Sequence, residues 1–111
     1  MNTLPHSPHI VEGKDYSDFL CHCAKALEIP LSELLDPTCK REPVTTARTV
    51  AIYTANKLFD LQSKQLHALF NLTCHSTARH ALKRCNVGPQ SDNLKMRAAV
   101  LLEHFRQTYQ P

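Results

Sequence analysis

Glycine is scarce in this chain: its 111 residues contain only two, Gly13 and Gly88. A glycine-rich loop that wraps a nucleotide phosphate is therefore excluded, and no nucleotide partner is predicted. Leucine and alanine are abundant and runs of β-branched residues are few, so the composition favours helices. The length suits one domain with a single core. We predict an all-α fold, a compact bundle of five to six helices.

Long apolar runs are also missing. No stretch approaches the length needed to cross a bilayer, so no membrane partner is predicted. The first residues, MNTLPHSPHIVEGK, hold prolines and histidines where a secretory signal has a charged start and an apolar stretch. Residues 1–14 are predicted to be a flexible N-terminal arm, and residues 15–111 the helical domain. With no export signal, an odd number of cysteines predicts a reduced, cytoplasmic protein.

The cysteines and histidines lack the spacing of a metal site. The potential ligands are Cys21, His22, Cys23, Cys39, Cys74, His75, His80 and Cys85. There is no CxxC pair, and on a helix the two cysteines of CHC point about 200° apart. Cys74 has no orienting acid nearby in the sequence, which argues against nucleophilic catalysis. We expect no bound metal, no cofactor and no enzymatic activity.

Charge is distributed unevenly along the chain. Residues 1–37 carry two basic and six acidic side chains, residues 38–85 carry eight and two, and residues 86–111 carry three and two. The net charges of −4, +6 and +1 add to the total of +3. A basic middle on a nearly neutral chain predicts an anionic partner for that part, and double-stranded DNA is the partner that we predict.

Residues 63–85 have the spacing of a helix-turn-helix. SKQLHALF predicts a short helix, NLT a tight turn in which Asn71 takes the left-handed conformation, and the following residues a second helix. Helical periodicity along the whole chain also predicts the core. The predicted core residues are Phe19, Leu20, Leu27, Leu35, Val50, Leu58, Leu66, Phe70, Leu72, Leu82 and Leu101.

The second helix of a helix-turn-helix enters the major groove, where its first residues reach base edges. Short or hydrogen-bonding side chains suit that position, and Cys74, His75, Ser76 and Thr77 meet the requirement. Further along the same helix, Arg79, His80, Lys83 and Arg84 can reach phosphates. A second basic segment, DPTCKREP, forms a loop between prolines, and Arg48 near the start of the next helix is predicted to show its charge to solvent.

Three segments, KREPVTTAR, ARTVAIYTA and CHSTARHA, carry a family resemblance. From about residue 15 to residue 107 the chain resembles the C-terminal DNA-binding domain of the bacterial replication initiator DnaA. The resemblance implies a Trp-repressor-like helix-turn-helix fold and a DNA-binding role in the control of transcription or replication, without the initiator's ATPase domain.

The resemblance also implies roles for individual residues. Lys40 or Arg41 would enter the minor groove, Arg48 would meet bases or phosphates, and Lys57 would meet a phosphate. His75, Ser76 and Thr77 would match the family's His-Thr-Thr readers of bases. Cys74 stands where the family has aspartate, which removes an acceptor for cytosine N4.

Two alternatives remain open. The polar side of the second helix is also typical of a solvated face in a helix bundle. The same fold could instead bind another protein, such as the replication initiator or a transcription component, with the acidic first third of the chain contributing to that contact. Salt-dependent binding to random duplex DNA would distinguish DNA from a protein partner.

Overall fold

A computed structural model describes residues 10–36, 38–72 and 75–108. These residues form six helices and one hairpin of two short strands, each two residues long. This confirms the predicted all-α class. In chain order the elements are β1 (Ile10–Val11), β2 (Lys14–Asp15), α1 (Ser17–Leu27), α2 (Leu31–Leu34), α3 (Val44–Phe59), α4 (Ser63–Leu69), α5 (His75–Asn86) and α6 (Ser91–Thr108).

The hairpin begins the described part of the chain. Ile10 pairs with Asp15 and Val11 with Lys14 in antiparallel register, and the positive φ of Gly13 (+84°) suits the tight turn between them. Val11 is buried, so residues 10–14 of the predicted arm include part of a packed hairpin. The predicted flexibility of residues 1–14 stays a prediction. Residues 1–9 of the predicted arm lie outside the described residues.

Helix α3 is the central element, as its apolar sequence predicts. It packs against α2, α4, α5 and α6, and Val50, Ala51 and Ala55 are completely buried. Thr54 is also completely buried, and its hydroxyl donates to the carbonyl of Val50 at 2.8 Å, so its burial leaves no unsatisfied donor. Helix α3 is therefore the element around which α2, α4, α5 and α6 pack.

The predicted core is confirmed, with three side chains at its margin. The buried members are Phe19, Leu20, Leu35, Val50, Leu66, Phe70, Leu72 and Leu101. Leu27, Leu58 and Leu82 are partly buried and pack against this core. Leu27 and Leu58 lie at or next to the last residue of their helices, and Leu82 lies beside the polar side of α5. Solvent therefore reaches part of each side chain.

Aromatic side chains join α1 to the other helices. The ring of Phe19 lies 5.1 Å from that of Phe59 and 4.9 Å from that of Phe105, measured between centroids. Tyr16, just before α1, packs edge-on against Phe59 at 4.9 Å. These contacts connect α1 to the end of α3 and to α6.

The turn after α4 has the predicted left-handed residue. Asn71 has φ of +55°, the N–H of Asn71 donates to the carbonyl of Ala68, and that of Leu72 donates to the carbonyl of His67. This pattern is a Schellman ending, and Leu72 is buried against the core. Helices α4 and α5 therefore occupy the predicted range 63–85, while Thr73 and Cys74 lie outside the described residues.

Helix α6 is the longest helix, at 18 residues. It buries Leu94, Ala98, Leu101 and Phe105 along one side, and its other side is polar except at its middle. In the parts of the chain that the structure covers, no helix combines the length and the apolar character needed to span a bilayer.

Candidate nucleic-acid interface

A groove of about 280 Å³ runs between α3, α5 and the segment before α3. Its lining residues are Lys40, Thr45, Arg48, Thr49, Ile52, Leu72, Thr77, His80, Ala81 and Arg84. Five of the predicted site residues are among them: Lys40, Arg48, Thr77, His80 and Arg84. The fold thus brings the basic loop and the second helix of the predicted helix-turn-helix to one surface, as the site prediction requires.

Helix α5 presents three different sides. Ala78, Ala81 and Cys85 are buried against the bundle, which fixes the rotation of the helix about its axis. Thr77, His80 and Arg84 border the groove. The other predicted residues of α5 are Ser76, which is half-buried, and Arg79 and Lys83, which are exposed.

The N-terminal end of α5 is only partly described. Cys74 lies outside the described residues, as does the side chain of His75. The proposed base-reading set can therefore be placed in the structure only at Ser76 and Thr77. Both belong to the first turn of α5.

Arg48 does not show its charge to solvent, so that part of the prediction is wrong. Its side chain is only 8% exposed. Its Nε donates to the carbonyl of Leu34 at 3.0 Å, and Nη2 donates to the carbonyls of Glu33 at 3.1 Å and Asp36 at 2.7 Å. Burial lowers the pKa of Arg48 from its ordinary value, an effect opposed by the charges of Cys39 and Asp36.

This arrangement gives Arg48 a structural task at the edge of the groove. The last carbonyls of a helix lack intrahelical donors, and a guanidinium can satisfy several of them at once. Arg48 thereby ties the end of α2 to α3 and holds the chain that leads to Lys40. It supports the groove wall, and we do not count it among the contacts offered to a ligand.

Two further predicted cations lie outside the groove. Arg41 forms a 2.8 Å ion pair with Glu33, in which the Arg41 side chain remains 62% exposed. Lys57 is exposed near the end of α3, with Nζ 5.3 Å from the ring centroid of Tyr53. Neither contact removes the charge from solvent, so both side chains add positive potential around the groove.

The sequence does not single out the α3 threonines of the groove, Thr45 and Thr49, as site residues. Thr45 and Thr49 lie one turn apart on α3, and Arg84 Nη1 donates to the Thr49 hydroxyl across the groove at 3.4 Å. The spacing of four residues indicates a shared helix side, but nothing in it shows that this side faces α5. That juxtaposition depends on how the two helices pack.

Glu42 introduces a negative charge beside these cations. Its carboxylate accepts from the backbone N–H of Thr46 at 3.1 Å and from the Thr46 hydroxyl at 2.6 Å. Hydrogen bonds from Thr46 and Thr45 lower the pKa of Glu42, and the charge of Arg84 lowers it further. An ionised Glu42 therefore stabilises the start of α3 and partly offsets the positive charge of Arg84.

The long stretch that includes α4 and α5 contains no acidic residue. Between Asp60 and Asp92 the sequence has Lys64, Arg79, Lys83 and Arg84 and no aspartate or glutamate. A helix pair whose charged side chains are all basic creates a positive electrostatic field over its exposed side. Together with Lys40, this field makes the groove and the outer side of α5 an anion-attracting surface.

The described cysteines are thiols: Cys21, Cys23, Cys39 and Cys85. Burial raises the pKa of the Cys23 and Cys85 thiols, which disfavours the thiolate form that reacts or binds metal. Among the residues with described side chains, no three histidine, cysteine, aspartate or glutamate groups come together as a metal-binding set. The side chains that line the groove include hydroxyls, cations and the imidazole of His80.

Comparisons with models of protein families, with curated proteins and with solved structures found no match to this chain.

Proposed function

We propose that this protein binds double-stranded DNA in a sequence-selective, non-enzymatic manner through α5 and the groove beside it. The observation that carries the proposal is the meeting of Lys40 with Thr77, His80 and Arg84 on one surface. A regulatory role in transcription or replication, as implied by the resemblance to the DnaA C-terminal domain, belongs to the same proposal.

Phosphate contacts supply the affinity in this proposal. Lys40 and Arg84 border the groove and Lys83 lies on the exposed side of α5, so a DNA backbone that follows the groove meets cations from two segments. Each phosphate neutralised by such a side chain releases counterions, which makes the binding dependent on salt. The acid-free stretch between Asp60 and Asp92 supports this geometry because no carboxylate within it repels the backbone.

Base contacts supply the selectivity. Ser76 and Thr77 are small hydroxyl residues in the first turn of α5, where the helix can approach base edges closely. A threonine offers a hydroxyl for hydrogen bonding and a methyl group for contact with thymine. His75 and Cys74 are the adjacent positions that the resemblance assigns to base reading.

The phosphate contacts are tested by titrating a random-sequence duplex at several salt concentrations. Arg84→Ala and Lys83→Ala should each weaken binding to every sequence similarly and reduce the salt slope by about one unit. Lys25→Ala is the matched control because Lys25 is an equally exposed cation in the last turn of α1. Equal losses of DNA affinity for Lys25→Ala and Arg84→Ala would contradict the proposal that DNA binds specifically at the surface of α5. No binding at low salt would favour the alternative of a protein partner.

The base contacts are tested on a preferred site selected from random duplexes. Thr77→Val removes the hydroxyl and retains the side-chain shape, and Ser76→Ala is a similarly small change. Each should cost about 1–3 kcal/mol on the preferred site and little on random DNA. Cys74→Asp, which restores the acceptor typical of DnaA, should move the preference toward the initiator's site. Unchanged preference in all three variants would show that α5 does not read bases.

A further inference from the structure

The exposed side of α6 has an apolar centre. Three large apolar side chains are exposed in the described parts of the chain, and two of them, Met96 and Val100, are each 67% exposed and lie one turn apart on α6. Ala99 is exposed between them, whereas Leu94, Ala98 and Leu101 face the core. A small residue flanked by larger apolar ones allows close approach of another helix.

Four charges flank Ala99 in a self-complementary order. Counting from Ala99, Lys95 lies four residues before it and Glu103 four residues after it. Asp92 lies seven residues before it and Arg106 seven residues after it. All four side chains are exposed, and at a helical repeat of 3.6 residues these spacings place them on the side that carries Ala99. Positions at equal distances from Ala99 thus carry opposite charges.

We propose that this side of α6 binds the same side of a second copy of the chain, with the two helices antiparallel and the two-fold axis at Ala99. Lys95 then lies opposite Glu103 of the partner subunit, and Asp92 opposite Arg106 of the partner subunit. Because the axis repeats each contact, the pair gains four ion pairs on the side that carries Ala99. At 100° per residue Met96 lies 60° and Val100 100° from Ala99 about the helix axis, so these exposed apolar side chains flank the contact along one edge. Parallel pairing in register would instead place each charge against its own copy.

The existing contacts of these side chains do not compete strongly with this pairing. Glu103 and Arg106 form one ion pair within α6, but their N–O distance is 3.9 Å and both side chains are at least 67% exposed. An exposed pair of this kind contributes little free energy. The inference does not rest on DNA binding, since the α6 side and the groove residues form separate surfaces; in a DNA-binding protein, such a pair would present two copies of α5 to a two-fold symmetric site.

Charge reversal tests the proposed register in sedimentation experiments over a range of concentrations. The wild-type chain should show reversible dimer formation. Lys95→Glu places like charges opposite each other twice across the axis, and so does Glu103→Lys, so each variant should weaken the dimer by about tenfold or more. An equimolar mixture of the two variants restores every opposite pair and should associate like the wild type. Lys25→Glu on α1 is the control with the same change in net charge as Lys95→Glu.

Three outcomes would overturn the proposal. These are a wild-type chain that stays monomeric at all concentrations, single reversals that associate as strongly as the wild type, and a mixture that fails to associate while the wild type dimerises. All three altered positions are exposed, and the circular dichroism of each variant checks that the helices remain folded. Rescue in the mixture separates the proposed pairing from a general loss of stability.

Discussion

At the scale of single residues, Arg48 combines a buried charge with several backbone partners. Its guanidinium serves three carbonyl oxygens at and beyond the end of α2, those of Glu33, Leu34 and Asp36. Hydrogen bonds from a charged donor are stronger than those between neutral groups. A buried acceptor that loses its donor retains the cost of its removal from water. This cost applies chiefly to the Leu34 carbonyl, because those of Glu33 and Asp36 also accept from backbone N–H groups.

Replacing Arg48 should therefore destabilise the fold substantially. Arg48→Met retains much of the side-chain volume but removes all three hydrogen bonds, and we expect a loss of about 2–3 kcal/mol in the free energy of unfolding measured with urea. Arg48→Lys should lose less because it retains the charge. Arg41→Ala, which removes only an exposed ion pair, should cost less than about 1 kcal/mol. Equal losses for Arg48→Met and Arg41→Ala would contradict the structural role of Arg48.

Glu42 makes a residue-scale prediction about pH. Its folded-state pKa lies below the unfolded value because Thr46 and Thr45 donate to the ionised carboxylate. Its contribution to stability is therefore present above the unfolded pKa of about 4.3 and is lost as pH falls through the lower folded value. Glu42→Gln should show a shallower loss of stability below about pH 4.3 than the wild type in acid titrations of unfolding. If the stability of the variant and that of the wild type fell in parallel as the pH is lowered, Glu42 would not contribute this pH-dependent stability.

At the scale of elements, α4 ends in a turn that leads to the buried Leu72. Its left-handed residue, Asn71, also donates its side-chain amide to the carbonyl of Leu35 at 3.2 Å. The left-handed backbone conformation of Asn71 and its side-chain hydrogen bond are thus two separate contributions of this residue to the stability of the turn. Two substitutions can separate them.

Asn71→Gly removes the hydrogen bond but retains easy access to positive φ. Asn71→Ala removes both. The alanine variant should be less stable than the glycine variant by about 1 kcal/mol, the cost of left-handed backbone for a residue with a Cβ atom. Thermal or urea unfolding of the two variants measures the difference. Equal stabilities would indicate that the turn changes its conformation when Asn71 is replaced.

The positions of the helices were predictable from the sequence because apolar periodicity and turn residues are local signals. Leu66 and Leu72 were predicted as core residues, and both are buried. The start of α3 was less predictable: threonine is a preferred cap residue and occurs at positions 45 and 46, yet the helix begins at Val44 and the carboxylate of Glu42 accepts the Thr46 N–H. Preferred cap residues compete at neighbouring positions, and the local sequence does not decide between them.

The candidate site was predictable in part. Basic side chains near a helix-turn-helix pattern identified Lys40 and Arg84, which do border one groove. The role of Arg48 could not be predicted because its partners belong to α2, and which helix end comes close to α3 depends on tertiary packing. Thr49 was missed for the same reason. Contacts that join distant segments leave no periodic signal in either segment.

At the scale of the whole molecule, aromatic packing joins α1 to α3 and α6, beside the buried Leu20 and Cys23 of the same helix. Phe19 is almost completely buried, and its ring contacts one ring at the end of α3 and one in α6. Burial of these large surfaces makes the position of α1 dependent on the rest of the bundle. We therefore expect α1 to unfold together with the other helices.

Phe19→Ala should lower the free energy of unfolding by about 3–5 kcal/mol, since it leaves a cavity among Phe59 and Phe105. Phe19→Leu should lose less because it fills more of that space. Hydrogen exchange of the α1 amides, compared with those of α3, measures whether the two helices open together. Separate opening of α1 in the wild type would contradict its attachment through this aromatic contact.

Helices α1 and α3 both end in left-handed residues that are not glycine: Glu28 has φ of +60° and Asp60 has φ of +56°. Each bears a conformational cost of about 1 kcal/mol that glycine would avoid, partly offset by the greater freedom of glycine in the unfolded chain. A glutamate codon becomes a glycine codon through one nucleotide change, so Glu28→Gly is a short evolutionary step toward heat tolerance. For a domain of this size, every 1 kcal/mol gained would raise the melting temperature by about 4 °C.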